Sequence, residues 1–143
     1  MISKSSKYAI KAVLYLALHT SEEKKVTVKD IAAPINVPKA YIAKLLQELS
    51  KNGIISSTRG PKGGFYLSDT NRENTIMDII DIIDGGNKLG PCMMSLKSCD
   101  QDKPCPLHAS IYPIKTKLIE NFKNKKIADL TNDLKTGRTF LPL

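Results

Sequence analysis

The sequence predicts a mainly α-helical chain with one small β-hairpin, and three observations predict it. Apolar residues recur with steps of three to five through residues 8–17, 41–49, 76–83 and 107–134. Thr27 and Pro38, both helix-start residues, stand ahead of short helical patterns. Two short β-favouring runs, 54–58 and 65–67, flank a turn rich in glycine. The chain has 143 residues, the usual size of one domain. With 41% hydrophobic and 25% charged residues, it is neither disordered by composition nor a membrane protein. No apolar run approaches the ~18 residues that a membrane span needs.

The first helix is expected from Ser5 or Ser6 to about His19, with Tyr8, Ala9, Ala12, Val13, Leu16 and Ala17 as its apolar stripe. Lys4, Lys7 and Lys11 lie at or near its start. Thr27 caps the second helix, and Asp30 at the third helical position completes a capping box; this helix runs to about Ala33. Asn36 and Val37 make a turn. Pro38 suits the first position of the third helix, where its missing N–H costs nothing. Tyr41, Ile42, Leu45, Leu46 and Leu49 form the buried stripe there, and Gly53 the C-cap. Two helices joined by a tight turn, with Lys39, Lys44 and Gln47 on the free face of the second, match a helix-turn-helix. Helical hairpins also occur in proteins that touch no DNA.

The hairpin narrows the choice. Its tip, Arg59-Gly60-Pro61-Lys62-Gly63-Gly64, has no bulky apolar group to bury, yet it offers backbone N–H groups and two cations to phosphates. This is the form of a wing. Arg59 also has the chemistry to enter a narrow minor groove. Charge agrees: residues 1–64 hold eleven Lys/Arg against four Asp/Glu, whereas residues 65–143 hold eleven against ten. A polyanion is therefore expected at the N-terminal half. The candidate DNA contacts are Lys4, Lys7, Lys39, Ala40, Tyr41, Lys44, Arg59, Pro61, Lys62 and Gly63.

From Thr75, residues Ile76, Met77, Ile79, Ile80, Ile82 and Ile83 predict a helix that is apolar on more than one face and stops at Gly85-Gly86. Residues 85–105 lack periodicity, and an irregular stretch of that length usually carries a function or a ligand. Leu107, Ile111, Ile114, Leu118, Phe122, Ile127, Leu130 and Leu134 then predict one long amphipathic helix, starting near Ser110 or kinked at Pro113. A small winged domain cannot bury so long a stripe. The same helix of a second subunit can, so a homodimer is expected, with Ile111, Ile114, Leu118 and Phe122 as its contacts. The organisation read from sequence is a DNA-binding region 1–67, a connecting helix 68–84, a cysteine loop 85–108, and a dimerisation helix with tail 109–143.

Cys92-x6-Cys99-x5-Cys105-x2-His108 gathers three thiols and an imidazole. Such donors suit an iron-sulfur cluster or zinc. The spacings are wider than the C-x2-C pairs of structural zinc sites, which leans toward a cluster. A zinc site, a redox-switching thiol pair and incidental cysteines remain open. An odd cysteine number and the absence of a cleavage site after the first apolar run point to a reducing, cytoplasmic setting. His19 reads as a helix-end residue. With no nucleotide-binding glycine fingerprint, paired carboxylates or Ser/His/Asp arrangement, neither an enzyme nor a small-molecule substrate is expected.

The start Ser3-Lys4-x2-Lys7-Tyr8-Ala9, Lys51-Asn52-Gly53-Ile54, the wing Arg59-Gly60-Pro61-x-Gly63-Gly64-Phe65 and the cysteine triplet together resemble bacterial winged-helix regulators of the IscR, NsrR and CymR type, the Rrf2 superfamily. The resemblance implies a homodimer on pseudo-palindromic promoter DNA, with helix 38–52 in the major groove and the wing in the minor groove. It further implies an iron-sulfur cluster on Cys92, Cys99 and Cys105 that sets DNA affinity. IscR-like members use a histidine matching His108 as fourth ligand to a 2Fe-2S cluster. NsrR-like members hold a nitric-oxide-reactive 4Fe-4S cluster with an N-terminal acid; here Tyr8 occupies that region and no Asp or Glu precedes Glu22. CymR-like members lack the triplet. Ala43 stands where IscR has a glutamate, and the loop is one residue longer between its first two cysteines. The expected function is a DNA-binding transcriptional repressor controlled by a 2Fe-2S cluster. The alternatives are a 4Fe-4S sensor and a zinc-stabilised or thiol-switched regulator.

Overall fold

The computed structural model describes residues 2–86, 89–94 and 98–143. Residues 87, 88 and 95–97 of the expected loop lie outside them. The described elements, in chain order, are α1 (Lys4–His19), α2 (Val28–Ile35), α3 (Lys39–Lys51), β1 (Ser56–Thr58), β2 (Gly64–Tyr66), a single 3-10 turn (Asn71–Glu73), α4 (Ile76–Asp84), α5 (His108–Asn124) and α6 (Ile127–Lys135). The chain is mainly helical with one antiparallel hairpin, as the sequence predicts.

Helix α1 is the hub because Ala9, Ala12 and Ala17 let neighbours approach its axis while Val13 and Leu16 fill the space between. It packs against α2, α3, α4 and α6. Ser3 caps it by accepting from the Ser6 N–H at 3.0 Å, and donates its own N–H and hydroxyl to the carboxylate of Asp84. A carboxylate at the start of α1 also suits the helix dipole. Thr27 and Thr75 each form the capping box, with Asp30 and Asp78. The Thr27 backbone N–H, and then its hydroxyl, hold the Asp30 carboxyl below the usual range. The carboxylate half of this cap is therefore lost as pH falls through that lowered value, while the Asp30 N–H stays on the Thr27 hydroxyl.

The helices of the hairpin differ slightly from expectation. Helix α2 runs two residues past Ala33, with Pro34 inside its last turn, because Ile35 is buried; Asn36, in the left-handed conformation at φ 59°, ends it. Pro38 is the N-cap of α3 and not its first helical residue. Gly53, at φ 78°, follows the last turn of α3.

Strand β1 is two residues shorter than expected, and β2 is shifted by one residue toward the tip. Ile54 and Ile55 are pulled into the core ahead of β1, and Leu67 leaves β2 to place its N–H on the Thr20 hydroxyl at 3.1 Å. The outer edge of β2 is also paired: Phe65 donates to Val26 at 2.7 Å and accepts from it at 3.0 Å. A Cβ on Gly64 would lie 2.5 Å from the Val26 oxygen, so only glycine permits this approach.

Asn71 holds the wing to the rest of the domain. Its buried Oδ1 accepts from Ser56 Oγ, Ser68 N and Ser68 Oγ at 2.8, 2.9 and 2.8 Å, and its Nδ2 donates to the Gly53 carbonyl at 3.0 Å. Asn71→Ala strips partners from several part-buried groups and is expected to cost about 1–3 kcal/mol. Urea unfolding reads this directly; an unchanged midpoint would mean that the wing base is held elsewhere.

The single long C-terminal helix is not what forms. It starts at His108, keeps Pro113 as its sixth residue, and breaks after Asn124. Helix formation up to the proline survives because the carbonyl left without a helical donor belongs to the exposed Ala109. At the break, Lys125 and Lys126 are extended, and residues 125–127 pair with the chain entering α4: Ile76 donates to Lys125 O at 3.0 Å, and Ile127 to Asn74 O at 2.9 Å. Lys126 meets Glu73 at 2.5 Å. The break is driven by Ile127, 0% exposed within the core, which a continuous helix would carry away from α1.

Candidate nucleic-acid interface and cysteine loop

The amphipathic pattern of α3 buries Ile42, Leu45, Leu46 and Leu49, and this leaves Lys39, Ala40, Lys44, Gln47 and Lys51 exposed. Beside that face stands the wing, with Arg59, Pro61 and Lys62 exposed at its tip. A Cβ on Gly63 would come 2.3 Å from the Thr58 oxygen, so glycine is required to close the tip. Between helix and wing lies a cleft of about 500 Å³ lined by Gln47, Ser50, Lys51, Ser57, Thr58, Arg59, Gly64 and Phe65. Ser50 and Ser57 join its walls through a hydroxyl pair at 3.0 Å. Two cations and three hydroxyls around an open cleft suit phosphate oxygens.

Sequence reasoning did not assign Ser50, Lys51, Ser57 or Thr58 to the interface. For Lys51 a signal was present: it follows Lys44 by seven residues and Gln47 by four, which puts all three on one helical face. Ser57 and its neighbour Thr58 reach the cleft because β1 lies beside α3, where Ser57 meets Ser50, a proximity that no local pattern reports.

Tyr41 occupies a different place from the lysines of its helix. It is half-buried, its hydroxyl pairs with Ser5 Oγ at 2.8 Å, and its ring meets Tyr8 edge-on at 5.9 Å. Tyr8 in turn carries Lys4 and Lys11 over its ring at 5.8 and 5.7 Å. Lys4 and Lys7 are exposed, and they edge an apolar groove of about 410 Å³ formed by α1 with Leu141 and Pro142.

The cysteine loop lies against the first half of α5. Cys92, Cys99, Cys105 and His108 line one recess, together with Leu107, Ile111, Tyr112 and Lys115. Cys92 and Cys105 Sγ stand 3.4 Å apart, and Lys115 Nζ is 3.3 Å from Cys99 Sγ. Lys115 also donates to the Gly90 and Pro91 carbonyls at 3.0 and 2.8 Å, tying the start of the loop to α5. The His108 ring stacks on Tyr112 at 4.6 Å, and its backbone N–H binds the Cys105 carbonyl at 3.0 Å. The recess holds about 10 Å³, room for one water. Among the described residues, no three His, Cys, Asp or Glu side chains are drawn together closely enough to hold a metal ion.

Helix α5 has no fully buried residue. Ile111, Leu118 and Phe122 are half-buried, while Ile114 is 65% exposed, with Met93 and Met94 exposed on the loop beside the helix. Phe122 packs on the core. Ile114 is thus the most open of the four expected dimer contacts.

The sequence model of a family described as Rrf2, iron-dependent transcriptional regulator, matches residues 2–133. The chain belongs to the Rrf2 family. Among its relatives, an HTH-type transcriptional regulator of Aquifex aeolicus is 34% identical over 134 residues, covering 92% of each chain. The IscR regulator of Pectobacterium atrosepticum is 27% identical over 132 residues, covering 92% of this chain and 79% of its own. Among solved structures, CymR of B. subtilis superposes with a TM-score of 0.74 at 23% identity, covering 92% of this chain and 96% of its own. T. potens IscR does so with 0.72 at 24% identity, covering 97% and 91%. Both establish the winged-helix fold.

Rrf2 proteins are transcriptional regulators that bind DNA, and as such are not enzymes. Within this Rrf2 chain, no helix of the described residues is long and apolar enough to cross a membrane.

Proposed function

We propose that this Rrf2 regulator binds pseudo-palindromic promoter DNA as a homodimer and represses transcription, with its affinity set by an iron-sulfur cluster on the 85–108 loop. The carrying observation is the cationic face of α3 set beside an exposed wing with an open cleft between them. Lys39, Ala40 and Lys44 face the major groove; Arg59, Pro61, Lys62 and Gly63 meet the minor groove and its phosphates. Lys4 and Lys7 add phosphate contacts from α1. Tyr41 sets the pitch of α3 through Ser5. The exposed Ile114, flanked by Ile111 and Leu118, is covered by a second copy, which places two recognition helices about 34 Å apart, one DNA turn.

The donors on the loop fit a cluster in chemistry: three thiols and one imidazole line a single recess, which has to widen and draw them together to admit it. Cys92, Cys99 and Cys105 would hold it, with His108 as fourth ligand, and 2Fe-2S is the form that resemblance to IscR-like members implies. When bound, the cluster supplies a state that iron supply or oxidants change. The protein's own part is mechanical. Cys105 and His108 sit at the start of α5 and Lys115 ties Gly90 and Pro91 to the same helix, so ordering the loop moves a dimer-forming element.

The test is anaerobic purification, a visible spectrum, assays of iron, acid-labile sulfide and zinc, and titration of duplex DNA at several salt concentrations. Colour with equal iron and sulfide, and saturable, steeply salt-dependent binding to one operator, are expected. A colourless protein with stoichiometric zinc would refute the cluster; binding without sequence preference would refute the operator.

A further inference from the structure

We propose that Cys92 and Cys105 are a disulfide-forming pair, closed by hydrogen peroxide in the metal-free protein, with Cys99 left as a thiol. The proposal deepens the reading of the loop as a ligand set. The pairing itself stands on sulfur geometry, and only its consequence rests on that reading.

Cys92 Sγ and Cys105 Sγ are 3.4 Å apart, in contact across the recess. A disulfide needs ~2.0 Å, so closing the pair takes little more than an ångström of side-chain movement. Both residues have supported backbones. Cys92 follows Pro91, which bridges to Ser98, and the Cys105 carbonyl receives the first N–H of α5. Cys99 sits differently. Its sulfur lies against Lys115, which is at the same time fastened to Gly90 and Pro91.

Access sets the order of steps. Cys105 is half-buried and Cys92 buried, so a small peroxide meets Cys105 first. The Cys105 thiolate attacks the O–O bond, which breaks to give a sulfenic acid and one water. The Cys92 thiolate then attacks the Cys105 sulfur; the S–O bond breaks, the hydroxide takes up a proton, and a second water leaves. Two thiols lose two electrons and two protons in all, and the peroxide is reduced to two waters. A dithiol reverses the bond by exchange.

The consequence is a lock. Oxidation withdraws two of the four donors together, so the oxidised loop takes up no iron until it is reduced. This separates the effect of peroxide on metal-free protein from any effect on a bound cluster.

Metal-free, fully reduced protein is treated with hydrogen peroxide, alkylated with iodoacetamide and mapped without reduction. The expected result is a product with no covalent link between chains, in which the peptides of Cys92 and Cys105 are joined with the loss of two hydrogens and Cys99 is alkylated. Cys99→Ser should form the same link, although it loses a metal donor; Cys105→Ser should form no internal link. Circular dichroism confirms that both variants are folded. Linkage through Cys99, a cross-link between chains, or three alkylated thiols after peroxide would each overturn the pairing. Oxidised protein that takes up iron as readily as reduced protein would overturn the lock. Failure of the reduced protein to assemble a cluster, with the link still forming, would instead refute the proposed cluster and leave the pairing standing.

Discussion

Arg59→Ala is expected to weaken DNA binding by roughly 1–3 kcal/mol for each arginine removed, and the proposed dimer loses two. The side chain stands exposed at the wing tip and lines the cleft against α3, so its loss costs contact with DNA while the fold keeps its packing. Thermal stability should stay within about 0.5 kcal/mol of the parent, as for other surface changes. Iron content should be unchanged, because the recess is formed by the loop and α5, elements that share no lining residue with the wing. Fluorescence anisotropy across a salt series separates two modes of contact. A phosphate contact makes the slope of log affinity against log salt shallower by about 0.9 for each arginine, for any sequence. Minor-groove insertion concentrates the loss on operators with A·T-rich flanks. Unchanged affinity together with lost iron would overturn the division of labour between wing and loop.

The parts of this molecule that were legible in the sequence are those determined within one or two turns of chain. The stripe of α1, the Thr27-x-x-Asp30 box and the glycine tip of the hairpin each depend on neighbours a few residues away. What could not be read depends on groups far apart. Val26 pairs with Phe65, Ser3 with Asp84, and Asn71 with Gly53 and Ser56, and neither partner carries a local sign of the other.

The C-terminal break shows the same competition within one stretch. Steps of three to five are compatible with a continuous helix, yet the five-residue step from Phe122 to Ile127 is where the helix breaks. Pairing with residues 74–76 and burial of Ile127 against the core outweigh helix continuation there. In the candidate site, the cysteines and His108 were legible as residue types. Lys115 was not, because its role is to reach back from α5 to two carbonyls and a sulfur some twenty residues earlier.

Cys99→Ala is expected to empty the loop of the proposed cluster while leaving the domain folded. Cys99 is half-buried, and the core that stabilises the fold is built from Ile31, Ile42, Leu46, Leu49, Ile79, Ile80 and Ile127, none of them on the loop. Deleting one thiol from a half-exposed site therefore falls in the range of ordinary surface changes, within about 0.5 kcal/mol, far from the ~2–5 kcal/mol of a Leu or Ile truncation in a core. A cluster with three thiolate ligands has no such margin. Loss of one leaves an iron without its ligand, and no other Cys, His, Asp or Glu among the described residues lines the recess to replace it. The visible bands should disappear, and DNA affinity should become that of the metal-stripped parent protein, whichever direction that lies. Equality of those two affinities is the decisive measurement, because it separates an effect through the cluster from damage to the interface. A variant that keeps its iron would remove Cys99 from the ligand set. One that loses iron yet binds DNA like the loaded parent would uncouple the loop from α5, and with it the proposal that the cluster controls the operator.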